Sequence, residues 1–241
     1  MKTIFITGSS RGIGKAIAKK FLSQHWNVII NADKSEEELA GTVEELKQIR
    51  PNVLAMLGDV SQYEEAKQIF TRIEEQLGSI DVLVNNAGLS YVGLFNTMEP
   101  GLWRRLMDVN VLSMMNCTHL ALKDMVRRHS GNVVNISSIW GTLGASCEVV
   151  YSASKGAVNS FTKALAKELG PSGVRVNAIS CGAIETKMNE WLTDEEKDSF
   201  LEEIPLARFG RPEEVAELVY YIVSDNASYI TGQIIGLDGG F

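Results

Sequence analysis

The chain has 241 residues, 45% of them apolar and 22% charged, the balance of an ordinary globular protein long enough to bury a core without staples. A net charge of −7 disfavours nucleic acid and anionic membrane as partners, since both call for a basic face. Cys117, Cys147 and Cys181 are too few and too dispersed for a disulfide framework or a zinc site, and no apolar run reaches the length of a membrane span or signal peptide, so a metal-free cytoplasmic protein is expected.

Short apolar runs alternate with longer segments of helical spacing. Thr3–Thr7 reads as a first strand and is followed by "GSSRGIG" and a helical stretch to Gln24. Asn27–Asn31 is a second strand, followed by "SEEELAGTVEELKQI", whose early acids suit a helix N-terminus. After a third strand, Asn52–Leu57, Ser61 is placed as N-cap of the next helix, with Glu64 three residues on and Gly78 as its stop. Strands Asp81–Asn86, Asn132–Ser137, Val174–Ser180 and Gln233–Asp238 follow, with long helices near Leu102–Arg128 and Tyr151–Gly170. "RPEEVAELVYYIVSD" is the last helix, with Pro212 in its first turn. Most strands are apolar on both faces, as in a parallel sheet covered on both sides. The fold expected is α/β: a Rossmann-type, doubly wound, parallel seven-stranded sheet with helices on both faces, as one domain over residues 1–241.

Gly8, Gly12 and Gly14 join the first strand to the first helix as G-x-x-x-G-x-G, a variant of the dinucleotide fingerprint. Glycines allow a sharp turn and close backbone approach to a pyrophosphate at a helix N-terminus. Asp59-Val60 and "NNAG" (Asn85–Gly88) follow later strands, at the carboxyl ends where open α/β sheets bind ligands. In "NISSIWGTLGASCEVVYSASK", Tyr151 and Lys155 are four apart, on one helical face.

With Asn110 and Ser138, these motifs resemble the short-chain dehydrogenase/reductase family over nearly the whole chain. They are most similar to its 3-oxoacyl-acyl-carrier-protein reductase branch, a class of fatty acid biosynthesis. The resemblance implies Tyr151 as the proton donor, its pKa drawn down from about 10 by a neighbouring ammonium. It implies Lys155 as the ribose-holding cation, Ser138 as the carbonyl's hydrogen-bond donor and Asn110 as support for a water relay. Cofactor contacts are expected from Gly8, Ser10, Arg11, Gly12, Ile13 and Gly14, from Asp59, Val60, Asn86, Ala87 and Gly88, and from Tyr151, Lys155, Ile184 and Thr186. Substrate contacts are expected from Ser138, Trp140, Cys147, Glu148 and Tyr151.

Arg11 stands where members using NADP often carry a cation, whereas members using NAD tend to place an acid just after the second strand. Here that place is Ala32, with Asp33 one residue later. NADPH is favoured, with NADH as the alternative, and the plain reading of Arg11 is an exposed cation at a helix start.

Three departures bear on the substrate. Ser172-Gly173 stands where a carrier-docking cation usually precedes the glycine, and Arg127-Arg128 is followed by His129. Cys181-Gly182 replaces the usual Pro-Gly, and the most natural reading of Cys181 is a small buried side chain. Glu148, three residues before Tyr151, suits a cationic ketone; the segment is similar to the branch thought to reduce an aminopentanone on a lysine of elongation factor P. The alternative is that Glu148 caps the Tyr151 helix or pairs at a subunit interface. The ketone is thus a carrier-bound acyl group or a modified protein lysine, with hydroxysteroid or sugar-alcohol oxidation as a third reading and a non-catalytic dinucleotide sensor as a fourth. A lid near 188–210, with an apolar face of Trp191, Leu192, Phe200 and Leu201, is expected over the pocket, and a homotetramer or homodimer is implied.

Overall fold

The computed structural model describes residues 1–189 and 193–241. Seven parallel strands form one sheet in the order β3-β2-β1-β4-β5-β6-β7. They span β1 Thr3–Ile6, β2 Asn27–Ala32, β3 Val53–Leu57, β4 Val82–Asn85, β5 Gly131–Ser138, β6 Val174–Cys181 and β7 Ile234–Leu237. Side chains alternate between the faces. Ile4, Ile6, Val28, Ile30, Val82, Val84, Val134 and Ile136 join the core against α1 (Gly12–Ser23), α2 (Glu36–Lys47) and α9 (Pro212–Val223). Phe5, Ile29, Leu83 and Val133 join the core on the other face, against α3 (Tyr63–Leu77), α5 (Ser113–Arg128) and α7 (Val149–Leu169). Double coverage explains why the strands read as near-continuous apolar runs.

The remaining helices are α4 (Pro100–Met107), the single turn α6 (Trp140–Leu143) and α8 (Asp194–Glu203). The long helix expected near Leu102–Arg128 is interrupted. Asp108–Leu112 winds as one π turn, with the Ser113 N–H donating to the Asp108 carbonyl five residues back. Nor is Ser61 a helix cap. Helix α3 starts at Tyr63 with Gln62 at its N-cap, and the Ser61 hydroxyl donates to Asp59 at 2.7 Å. Gly78 does end α3, at φ 79°.

Strand order reverses between β1 and β4: β2 and β3 lie to one side, β5 to β7 to the other, the usual place for a ligand crevice. Ile6 lies beside Val84, Asn85 beside Asn135 and Ser138 beside Cys181. The segments that leave these strands therefore emerge along one edge: the glycine turn, "NAG", the Ser138 turn and Cys181-Gly182. No described helix is long and apolar enough to cross a membrane.

Candidate active site

A cavity of about 830 Å³ runs along that edge, from Asp33 and Asp59 to Trp140 and Phe200. It brings together most positions singled out in the sequence: Gly8, Ser10, Arg11, Gly12, Ile13, Asp59, Val60, Asn86, Ala87, Gly88, Ser138, Trp140, Glu148, Tyr151, Lys155, Ile184 and Thr186. Gly14, Asn110 and Cys147 do not line it. The Cys147 carbonyl instead accepts the Gly93 N–H at 2.8 Å, in a left-handed residue with φ 62°.

The glycines divide their work. A Cβ on Gly8 would stand 2.8 Å from Ala87 Cα, and one on Gly14 would stand 2.6 Å from Asn86 Nδ2. Both keep the turn pressed against the end of β4. Gly12, at φ 54°, has nothing nearer than Thr186 at 3.4 Å. Asn86 braces the turn, donating to the carbonyls of Thr7 at 3.0 Å and Gly8 at 2.8 Å. Helix α1 begins at Gly12 with no side-chain cap. Its first N–H groups therefore face the cavity without an intrahelical partner, the arrangement that receives a phosphate. This cradle fits the pyrophosphate of a dinucleotide.

At the far end, Ser138 accepts the Trp140 backbone N–H at 3.2 Å and is hydrogen-bonded to Tyr151. Burial raises the Tyr151 phenol above its ordinary value, outweighing that bond; Glu148 and Cys181 push the same way. The direction is opposite to the lowering expected from a neighbouring ammonium. The Lys155 Nζ lies 5.6 Å from the Tyr151 ring centre and donates to the Ile136 carbonyl at 2.9 Å. Burial draws Lys155 itself down to about 8. The phenol is thus held protonated, beside a lysine whose charged form burial disfavours.

Asn110 sits in the π turn. Its side-chain oxygen accepts the Leu89 N–H at 2.7 Å, and its amide donates to the Leu89 carbonyl and the Ser154 hydroxyl, both at 2.9 Å. Ser154 in turn donates to the Tyr151 carbonyl at 2.7 Å. These bonds fasten the segment that follows β4 to α7. Ser137 is also engaged elsewhere, donating to Asn159 at 2.6 Å.

Glu148 occupies the N-cap position of α7, yet its side chain caps no backbone N–H. It is half-buried in the cavity wall. Burial pushes its carboxyl up, against a hydrogen bond from the Trp140 side chain. Trp140 also meets Phe241 and Phe200 edge-on, at 5.4 and 6.4 Å. Phe200 thus ties the described part of the expected lid to the pocket, whereas Trp191 and Leu192 lie outside the described residues. Cys181 lines the cavity, buried, its thiol pushed up to about 12 by that burial.

Arg105 is a charged cavity residue that sequence reasoning missed. Its Nη1 donates to Asp59 at 2.7 Å and to Ser61 at 2.9 Å, and its Nη2 stands 3.5 Å from Asp33. Nothing local marks it, because its Asp59 partner is 46 residues away in sequence. Arg11, the expected phosphate cation, is paired with Glu38 at 3.2 Å. On the outer surface, Arg128 is bound to Asp124, Asp81 and the Ile80 carbonyl, and Arg127 to Asp124. His129 ends α5 in a left-handed conformation, φ 51°. Among the described residues, no group of three or more His, Cys, Asp or Glu side chains is placed to hold a metal ion.

A doubly wound parallel sheet, with a glycine turn and a Ser-Tyr-Lys cluster on one cleft, is the architecture of a dinucleotide-dependent oxidoreductase. The family model described as short chain dehydrogenase matches residues 2–197, and the chain belongs to that family. It is 39% identical over 241 residues to the uncharacterized oxidoreductase YmfI of Bacillus subtilis, spanning 100% of this chain and 98% of that one. It is 38% identical over 239 residues to the 3-oxoacyl-[acyl-carrier-protein] reductase FabG of Staphylococcus aureus, spanning 99% and 97%. Among solved structures, a putative gluconate dehydrogenase from Agrobacterium tumefaciens superposes with a TM-score of 0.95 at 32% identity, covering 99% and 95% of the two chains. A 3-oxoacyl-[acyl-carrier protein] reductase from Brucella melitensis gives 0.93 at 34% identity, covering 100% and 91%.

Proposed function

We propose that this oxidoreductase uses NADPH to reduce a ketone to a secondary alcohol, with a 3-oxoacyl thioester as the leading substrate class. The observation that carries this reading is the Ser138–Tyr151–Lys155 cluster at one end of the cavity whose other end holds the glycine cradle. NADPH would supply the hydride. Gly12 and the start of α1 would receive its pyrophosphate, and Ile184 and Thr186 would border its nicotinamide end. Ser138 hydrogen-bonds the ketone oxygen. Tyr151, held protonated by burial, gives its proton to the developing alkoxide. Lys155 holds the ribose, and its charge stabilises the tyrosinate left behind. Asn110 positions α7 through Ser154. The resemblance to reductases of carrier-bound acyl groups supports the substrate class, as does the apolar wall of Trp140 and Phe200. Apolar side chains left exposed on and before α5, Leu112 and Met115, support an assembly of two or four copies.

A second reading, reduction of a ketone that carries an ammonium, is favoured by Glu148. Glu148 lines the cavity, bonded to the Trp140 side chain, and does not serve as a helix cap. Arg128, held by Asp124 and Asp81, fits this reading better than it fits docking of an acidic carrier.

The test is a ketone panel of acetoacetyl thioesters, neutral ketones and aminoketones, with the wild type and Tyr151→Phe. Turnover with NADPH that is lost in Tyr151→Phe, while NADPH still binds, is expected. Full turnover by Tyr151→Phe would overturn the mechanism. Glu148→Gln is expected to lose activity on aminoketones selectively if the second reading holds; equal losses on neutral ketones would reject it.

A further inference from the structure

The end of the cleft formed by β2, β3 and α4 carries three carboxylates, Asp33, Glu38 and Asp59, and two guanidinium groups, Arg11 and Arg105. Each arginine is already paired: Arg11 with Glu38, and Arg105 with Asp59 and Asp33. Left alone, Asp33 would stand just past β2 as an acceptor for a ribose hydroxyl and a repellent for a phosphate. Arg105 changes that. Its Asp59 and Ser61 contacts, at 2.7 and 2.9 Å, anchor one nitrogen, and the planar fork then directs the other at Asp33. Burial alone would raise the Asp59 carboxyl; the hydrogen bonds from Ser61 and Arg105 outweigh it and keep the anchor below its ordinary value. The Asp33 contact is longer, at 3.5 Å, and Asp33 is 49% exposed, so Asp33 is the adjustable partner.

We propose that Arg105 is a specificity-determining residue for the dinucleotide: by holding and neutralising Asp33 it admits a ribose 2′-phosphate at a site that otherwise suits a 2′-hydroxyl. The proposal rests on the NADPH reading for its direction. In the Arg105→Met variant, Asp33 loses its counter-charge. Affinity for NADPH then falls, while NADH gains a free acceptor.

The experiment titrates NADPH and NADH by nucleotide fluorescence against the wild type, Arg105→Met, Asp33→Asn and the double variant. Substrate is absent, and thermal melting checks that each protein folds. The ratio of Kd for NADPH to Kd for NADH is expected to rise about tenfold or more in Arg105→Met, the scale of one charged hydrogen bond. The same substitution made in the Asp33→Asn background is expected to move the ratio by less than about threefold, since the coupling partner is gone. Equal weakening of both nucleotides, or an undiminished shift in the Asp33→Asn background, would overturn the proposal. Asp33→Asn alone decides the matter should Arg105→Met not fold: an unchanged ratio rejects Asp33 as the mediator. A wild type that prefers NADH would sink the NADPH reading by itself, and the coupling between Arg105 and Asp33 is still read from the same four titrations.

Discussion

Replacing Lys155 with methionine is expected to make the protein more stable and inactive. Lys155 is 5% exposed, and burial lowers its pKa from 10.5 to about 8. That difference corresponds to about 3 kcal/mol of unfavourable burial of the ammonium at neutral pH. Methionine fills similar space without charge. The lost hydrogen bond to the Ile136 carbonyl offsets about 1 kcal/mol, leaving a net gain of about 2 kcal/mol. The pH dependence identifies the cause. Between about pH 8 and pH 10.5 the unfolded chain binds more protons at Lys155 than the folded one, so wild-type stability rises with pH there. The advantage of Lys155→Met should therefore shrink by about 2 kcal/mol between about pH 7 and pH 9.5. Urea unfolding of both proteins at the two pH values measures it, and titrations common to both cancel in the difference. A variant less stable than wild type at pH 7, with a difference that does not change with pH, would refute the reasoning.

The same titration is expected in catalysis: kcat/KM for NADPH, which reports the free enzyme, should fall as pH rises past about 8 and Lys155 loses its charge; a flat profile to pH 9.5 would contradict it. Ser138→Ala should lower kcat about 10²–10³-fold with little change in NADPH affinity, measured by steady-state kinetics and nucleotide titration. Gly14→Ala should destabilise by about 2 kcal/mol, since its Cβ meets Asn86 Nδ2 at 2.6 Å and Ser9 Cα at 2.7 Å. Gly12→Ala, with 3.4 Å of clearance, should cost about 1 kcal/mol through its positive φ alone; chemical denaturation compares the two.

Local sequence determined the sheet and the pairing of Tyr151 with Lys155. The apolar runs had to be strands buried on both faces, because such runs are too short for helices and too apolar for one wet side. The four-residue spacing of Tyr151 and Lys155 placed them on one face of α7 wherever that helix packed. Residues whose meaning depends on distant partners were decided only by tertiary structure. Ser61 looked like a helix cap until Asp59 and Arg105 took its hydroxyl. Asn110 gave no sign that its amide would be consumed by Leu89 and Ser154. The direction of the Tyr151 shift followed from burial beneath neighbours that no spacing reveals, and it is upward, not downward. Arg105 was silent for the same reason: a guanidinium acquires a role only from the carboxylates that folding sets beside it. Covalent order along the chain fixes periodicity and therefore elements, whereas electrostatics depends on distances through space, which exist only once the sheet has brought its strand ends together.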